Sequence, residues 1–350
     1  MTFHKTLRTA EALADAGLID PARLPELQAV AARYAVAVTP AVAERVAAEN
    51  GEGPVSRQFL PDPAELETRP EESADPIGDF AHAPVEGIVH RYPDRVLLKV
   101  THTCAVYCRF CFRREMVGPD GHGALAGEAL DEALAYIAAR PEIWEVILTG
   151  GDPLVLSPRR IAELMARLGA IEHVKVVRIH TRVPAVDPEA VTPELVAALQ
   201  PPAGKAVWVA LHANHADELT PAARAACARL IDAGLPMVSQ TVLLKGVNDT
   251  PQALAALMRA FVETRIRPYY LHHPDLAPGT SHLRPTLEEG RAVVSALRGA
   301  VSGLAQPTYV VDLPGGRGKV PASEAWLEAD AQGEPDYASA RRPTTQGNGG

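Results

Sequence analysis

The chain has 350 residues but only four cysteines. So few thiols over this length cannot form a disulfide framework, which excludes the small stapled secreted domains. No apolar run approaches the roughly 20 residues of a membrane span, so no membrane partner is expected. The first twenty residues, MTFHKTLRTAEALADAGLID, interleave charges with small apolar side chains. Without an uninterrupted apolar stretch, no signal peptide is expected, and the cytoplasm is the expected compartment. A basic surplus is missing too: 34 Lys and Arg face 43 Asp and Glu, a net charge of −9. That disfavours nucleic-acid binding through a general basic surface while leaving room for a local basic pocket. What remains is a globular composition, 47% hydrophobic and 22% charged, long enough for one large domain or two ordinary ones.

Three regions are expected. Residues 1–88 read as a helical extension followed by an irregular wrap. HKTLRTAEALADAGL and ARLPELQAVAARYAVAVTPAVAERVAAE carry apolar residues at three- and four-residue spacing, and NGEGPVSRQFLPDPAELETRPEESADP is dense in Pro, Gly and acid. Residues 89–320 alternate short β-branched runs with amphipathic ones. The expected strands are RVLLKVT, EVILTG, VKVVRIHT, AVWVALH, PMVSQTVLL, PYYLHH and TYVVDLP. Strand–helix alternation predicts an α/β fold with parallel strands and helical crossovers. The unusual polar, Gly and Cys residues cluster just after strand ends, which favours a (β/α) barrel over a doubly wound sheet. Residues 321–350 read as a short tail, disordered in its last part.

The thiols are crowded. Cys104, Cys108 and Cys111 form C-x3-C-x2-C directly after RVLLKVT. Thiolates bind soft metals and iron–sulfur clusters. A closed structural zinc site wants four ligands, and nothing nearby supplies a second pair. Three ligands on one loop instead hold three corners of a cubane and leave one iron open to a small molecule. Cys227, inside AARAACARL, reads as a core residue. Farther on, EVILTGGDPL places Gly150, Gly151 and Asp152 at a strand end, where the glycines permit close backbone approach and the acid suits an ammonium group. Near the far end, VVDLPGGRGKVP puts Lys319 on a glycine-rich loop. The spacing is not that of a P-loop, since Val320 follows the lysine. Lys319 is either an ordinary loop lysine or one able to form a Schiff base with pyridoxal phosphate (PLP).

C-x3-C-x2-C with Tyr107 and Phe110 before its second and third cysteines resembles the signature of the radical S-adenosylmethionine (SAM) superfamily, and the GGDP turn resembles its second mark. More specifically, the chain resembles the lysine 2,3-aminomutase family across roughly residues 75 to 320. HRYPDRVLLKVTHTCAVYCRFCFRRE, ILTGGDPL, VRIHTRVP, HANHADELT, LLKGVND, RPYYLHHPDLAPGTSHLR and VVDLPGGRGK carry the resemblance, in order and spacing. It implies a partial (β/α)6-type radical SAM barrel. It implies a [4Fe–4S] cluster on Cys104, Cys108 and Cys111, and SAM held by Gly150, Gly151 and Asp152 with His212 and Gln240 toward the nucleoside. It implies PLP on Lys319, steadied by Arg91, Tyr92 and Arg95. Arg113 would meet the substrate carboxylate, with Arg114 as the rival, and Asp275 and Asp312 a distal ammonium. Both acids also read as a turn cap and a strand-end residue.

The implied reaction moves the amino group of L-lysine between C2 and C3, giving L-β-lysine, through hydrogen abstraction by a deoxyadenosyl radical. A flavodoxin- or ferredoxin-type reductant and a homo-oligomer are expected. Related branches act on glutamate, or on lysine for elongation factor P. Thr250, in KGVNDT, stands where longer relatives have a zinc cysteine, and no cysteine follows Cys227. No zinc is expected.

Overall fold

The computed structural model describes residues 2–118 and 123–323, together with a two-stranded ribbon of Glu328–Ala329 and Pro335–Asp336. The rest of the expected tail lies outside the described residues. Nine strands form one sheet whose spatial order follows the sequence. They are β1 (Ile88–Tyr92), β2 (Arg95–Thr101), β3 (Glu145–Gly150), β4 (Val176–Thr181), β5 (Ala206–His212), β6 (Met237–Val242), β7 (Arg267–His272), β8 (Thr308–Leu313) and β9 (Gly318–Pro321). Strands β2 to β8 run parallel. All seven expected strands are present within a few residues of their expected limits.

Helices cover the outside. Four short ones precede the sheet: α1 (Ala10–Asp15), α2 (Leu24–Arg33), α3 (Pro40–Ala48) and α4 (Ser56–Phe59). The crossovers are α5 (Gly127–Ala138), α6 (Pro158–Gly169), the pair α7 (Val183–Val186) and α8 (Pro193–Ala198), α9 (Pro221–Asp232), α10 (Pro251–Glu263) and α11 (Leu287–Leu297). Their starts are written locally. Ser157, Thr192, Thr220 and Thr250 each precede a proline and accept a backbone N–H of the first turn. A hydroxyl cap satisfies an orphan donor, and proline at the first position lacks one to satisfy. Thr250 thus serves as the cap of α10. Helix α11 ends at Leu297, and Gly299 takes a positive φ of 79° just beyond.

The first and last strands were not expected. β1 pairs antiparallel with β2, and β9 antiparallel with β8. They are the two edges of the sheet, and side chains join them across the seam. The Tyr92 hydroxyl accepts the Lys319 backbone N–H at 2.8 Å. A Cβ on Gly78 would sit 2.6 Å from the backbone nitrogen of Gly316, so the wrap passes directly over the β8–β9 turn. The N-terminal segments share one core with the barrel: Leu13, Leu27 and Phe59 belong to the same buried cluster as Leu98, Leu148 and Phe261.

Candidate active site

The cysteine loop leaves the C-terminal end of β2. The Cys111 N–H donates to the Cys108 carbonyl at 3.1 Å, which tightens the turn so that three thiols leave one loop. The GGDP turn at the end of β3 clamps this loop through backbone bonds, including Asp152 N–H to the Thr103 carbonyl at 3.0 Å. Gly150 has a φ of +109°, and a Cβ on Gly150 or Gly151 would collide with the carbonyl oxygens of Thr101 or Thr103. The close approach that these glycines permit is therefore to the cysteine loop itself. Asp152 accepts from Leu154 N–H at 3.0 Å, the Thr181 hydroxyl at 2.7 Å and Arg182 N–H at 2.7 Å. It ties β3, β4 and the cysteine loop together, with only its remaining acceptor capacity left for a ligand.

The three thiols are free. Burial pushes all three up, Cys111 to about 11 with repulsion from Cys108, and Cys104 well above an ordinary thiol with repulsion from Asp152 and the other two thiols. Three thiols that resist ionisation together are suited to a cationic cluster that stabilises all three thiolates. Among the described residues, no three Cys, His, Asp or Glu side chains converge on a single ion.

The β8–β9 hairpin brings a second group. Asp312 and Lys319 are register partners, and Lys319 Nζ lies 2.6 Å from Asp312 Oδ1. His272 Nδ1 stands 3.4 Å from the other carboxylate oxygen, and Arg91 Nη1 3.8 Å from the first. Burial alone would raise Asp312, but the His272 hydrogen bond and the Lys319 charge outweigh it and hold the carboxyl at about 2. Asp275 has the opposite fate. Burial, then repulsion from Asp312, lifts it to about 7. One acid is already compensated, and for the other the more distant charges of Lys319 and Arg113 do not offset burial and Asp312.

Arg113 and Arg114 part company. Arg114 stacks 3.5 Å over the Tyr34 ring and pairs with Glu65, which also holds Arg109. Arg113 donates Nε and Nη2 to Asp79 at 3.0 and 2.9 Å, leaving Nη1 with only a 3.5 Å contact to the Thr149 hydroxyl. Asp79 is fully buried and also holds Arg91 at 3.1 Å. Its carboxyl is held below the usual range because, although burial opposes ionisation, Arg113 and Arg91 stand beside it. Arg95 lies over Tyr92, its guanidinium 3.8 Å from the ring centre, and pairs with Asp94 at 2.7 Å.

One cavity of about 480 Å³ gathers the whole set: the three cysteines, Gly150 to Asp152, His212, Gln240, Arg91, Tyr92, Arg95, Arg113, Asp275, Asp312 and Lys319 line it. Arg114 does not. Ligand-sized space with buried, unpartnered polar atoms marks a binding site. His180, His212 and His272 supply such atoms, each with a buried Nε2 that no protein group meets. Burial drives all three below an ordinary histidine, so they present neutral rings to the cavity.

Residues 98–258 match the model of the radical SAM superfamily. The L-lysine 2,3-aminomutase of Fusobacterium nucleatum is 40% identical over 292 residues, 83% of this chain and 68% of that one. The enzyme of the same name from Acetoanaerobium sticklandii is 41% identical over 286 residues, 82% and 68% of the two chains. The chain belongs to the lysine 2,3-aminomutase family. A glutamate 2,3-aminomutase of Clostridioides difficile is 33% identical over 302 residues, 86% and 70% of the two chains. Membership implies a [4Fe–4S] cluster, SAM and PLP, and makes the chain an isomerase. The cavity fits those groups: three free thiols at one part, orphaned imidazole nitrogens along it, and the Lys319 amine, held by Asp312, at another.

Several cavity residues went unassigned in the sequence. Asp79, behind the cavity wall, lay in a stretch read only as wrap, and nothing local marks it as the partner of two arginines. His180, Arg182 and His272 sit inside quoted stretches, VRIHTRVP and YYLHHP, whose strand ends were the available signal. Among the described residues, no helix is long and apolar enough to cross a membrane.

Proposed function

We propose that this chain is a SAM- and PLP-dependent 2,3-aminomutase that interconverts L-lysine and L-β-lysine. The observation that carries the reading is the pair Asp275 and Asp312, sharing one cavity with Arg113, the cysteine loop and Lys319. An undercompensated carboxylate beside a compensated one suits the distal ammonium of lysine, while a glutamate side chain would add a third negative charge.

When bound, the cluster with SAM supplies a hydrogen-abstracting radical, and PLP a π-system for the migrating nitrogen. Cys104, Cys108 and Cys111 hold the cluster. Gly150, Gly151 and Asp152 shape the SAM end, with the free nitrogen of His212 and the amide of Gln240 available for hydrogen bonds. Arg91, Tyr92 and Arg95 steady PLP, and Lys319 anchors it covalently. Asp312 neutralises Lys319 until its nitrogen is engaged, and the same carboxylate is then free to take the substrate ammonium alongside Asp275. Arg113 offers the carboxylate a single free edge, Nη1, because Asp79 occupies the rest of its guanidinium. The catalytic core is taken as residues 89–320, wrapped by 1–88. A cytoplasmic setting, a flavodoxin- or ferredoxin-type reductant and a homo-oligomer complete the reading, since oxygen-sensitive thiolate chemistry needs a reducing compartment.

The test is anaerobic reconstitution with iron, sulfide, PLP, SAM and a reductant, followed by separate incubation with L-lysine, L-glutamate and elongation factor P. Formation of β-lysine from free lysine is expected. Turnover of glutamate or of the protein substrate alone would overturn the substrate assignment.

A further inference from the structure

Two stretches shared with the family, VRIHTRVP and HANHADELT, contribute charged residues that the reaction above does not use. The fold brings them together beside the cysteine loop. Arg182, just past β4, is buried, with both terminal nitrogens committed and Nε without a protein partner. Its Nη1 donates to Cys108 Sγ at 3.0 Å. Its Nη2 donates to Gln58 Oε1 at 2.6 Å and to the Glu218 carboxylate. Glu218 in turn accepts the backbone N–H groups of Asn214 at 2.7 Å and His215 at 2.9 Å, and Gln58 Nε2 at 3.1 Å. The rings of Phe59 and Phe110 flank the guanidinium, at 4.6 and 5.3 Å. A head group bonded through both terminal nitrogens and flanked by two rings is restrained beside the sulfur.

We propose that Arg182 is a positioning residue that raises the reduction potential of the cluster through its N–H···S bond to Cys108, and that Glu218 limits the effect. The proposal rests on the reading of Cys108 as a cluster ligand. A low-potential one-electron donor adds one negative charge to the cluster. A cationic donor 3.0 Å from a ligand sulfur, in a part-buried contact, stabilises that added charge. The Glu218 carboxylate on the same guanidinium opposes it. The two residues therefore act on the potential with opposite sign, which a purely architectural ion pair would not do.

The experiment is a mediated redox titration of the reconstituted full chain, followed by electron paramagnetic resonance of the reduced cluster, with iron and sulfide content measured alongside. In Arg182→Met, the ratio of reduced to oxidised cluster at a fixed poise should fall about tenfold, equivalent to ~59 mV for one electron. In Glu218→Gln, which keeps an acceptor but removes the charge, the ratio should rise. Unchanged potentials in variants with normal iron content would overturn the proposal. If Arg182→Met takes up no cluster, the Glu218→Gln titration decides alone, and an unchanged or lowered potential there defeats it. A wild-type chain that binds no cluster through Cys108 would instead defeat the ligand assignment, an outcome read directly from the iron content.

Discussion

Asp275 is the residue whose ionisation the substrate most needs. Its carboxyl, lifted to about 7 by burial and by Asp312, is neutral below that pH and charged above it. A lysine ammonium, with an ordinary value near 10.4, stays charged throughout. KM for lysine should therefore fall as pH rises from 6 to 8, and Asp275→Asn should flatten the profile while raising KM. Steady-state kinetics across that range checks both. Asp312, ionised at every such pH, should matter without a pH signature: Asp312→Asn removes one partner of a buried charge pair and should raise KM by about thirtyfold, or roughly 2 kcal/mol. An unchanged KM would leave it a structural acid. Lys319→Ala should remove the visible absorbance of lysine-bound PLP, read in a spectrum of the reconstituted protein. At this scale the lysine and the cysteines were legible because chemistry marks their type. The choice between Arg113 and Arg114 was not, because adjacent identical side chains differ only in which distant acid, Asp79 or Glu65, captures them.

Among the elements, the cysteine loop is built by its neighbours. The GGDP turn supports it through backbone contacts that leave no room for a Cβ at Gly150 or Gly151. Gly150→Ala would add strain from the positive φ, about 1–3 kcal/mol, and should lower both Tm and iron content. From the other side, Glu65 is fully buried and binds Arg109 and Arg114, anchoring the wrap to the loop. Glu65→Ala would strand two buried guanidinium groups at a cost of about 3–5 kcal/mol, visible as an early denaturation midpoint. GGDP was legible as a motif, but its contact with the cysteine loop was not: a glycine pair shows that something comes close, not what. Glu65 was invisible because its partner stands 44 residues away and the stretch between is irregular.

For the whole molecule, the barrel is closed by side chains at the seam between β1 and β9. The Tyr92 hydroxyl bridges it to the backbone of Lys319, so the residue expected to steady PLP also holds the strand that carries the anchoring lysine. Tyr92→Phe should cost about 0.5–1.5 kcal/mol in denaturant unfolding and lower the PLP retained after gel filtration. If the variant loses stability without PLP, the hydroxyl serves only the seam. Neither edge strand was expected, since each is short and lies in a turn-rich stretch, HRYPDR or GGRGK, whose pattern is set by its partner rather than by its own periodicity.

The sequence alone determined the parallel strands, their capped crossovers and the identity of the thiol, lysine and carboxylate groups, because these follow from local periodicity, hydroxyl–proline starts and side-chain chemistry. Only the tertiary structure decided how those groups are charged and aimed. It buried Asp275 near Asp312, gave most of Arg113 to Asp79, and set Arg182 against Cys108. Such pairings join residues far apart in the chain, and their strength comes from the exclusion of water, which exists only once the barrel has closed.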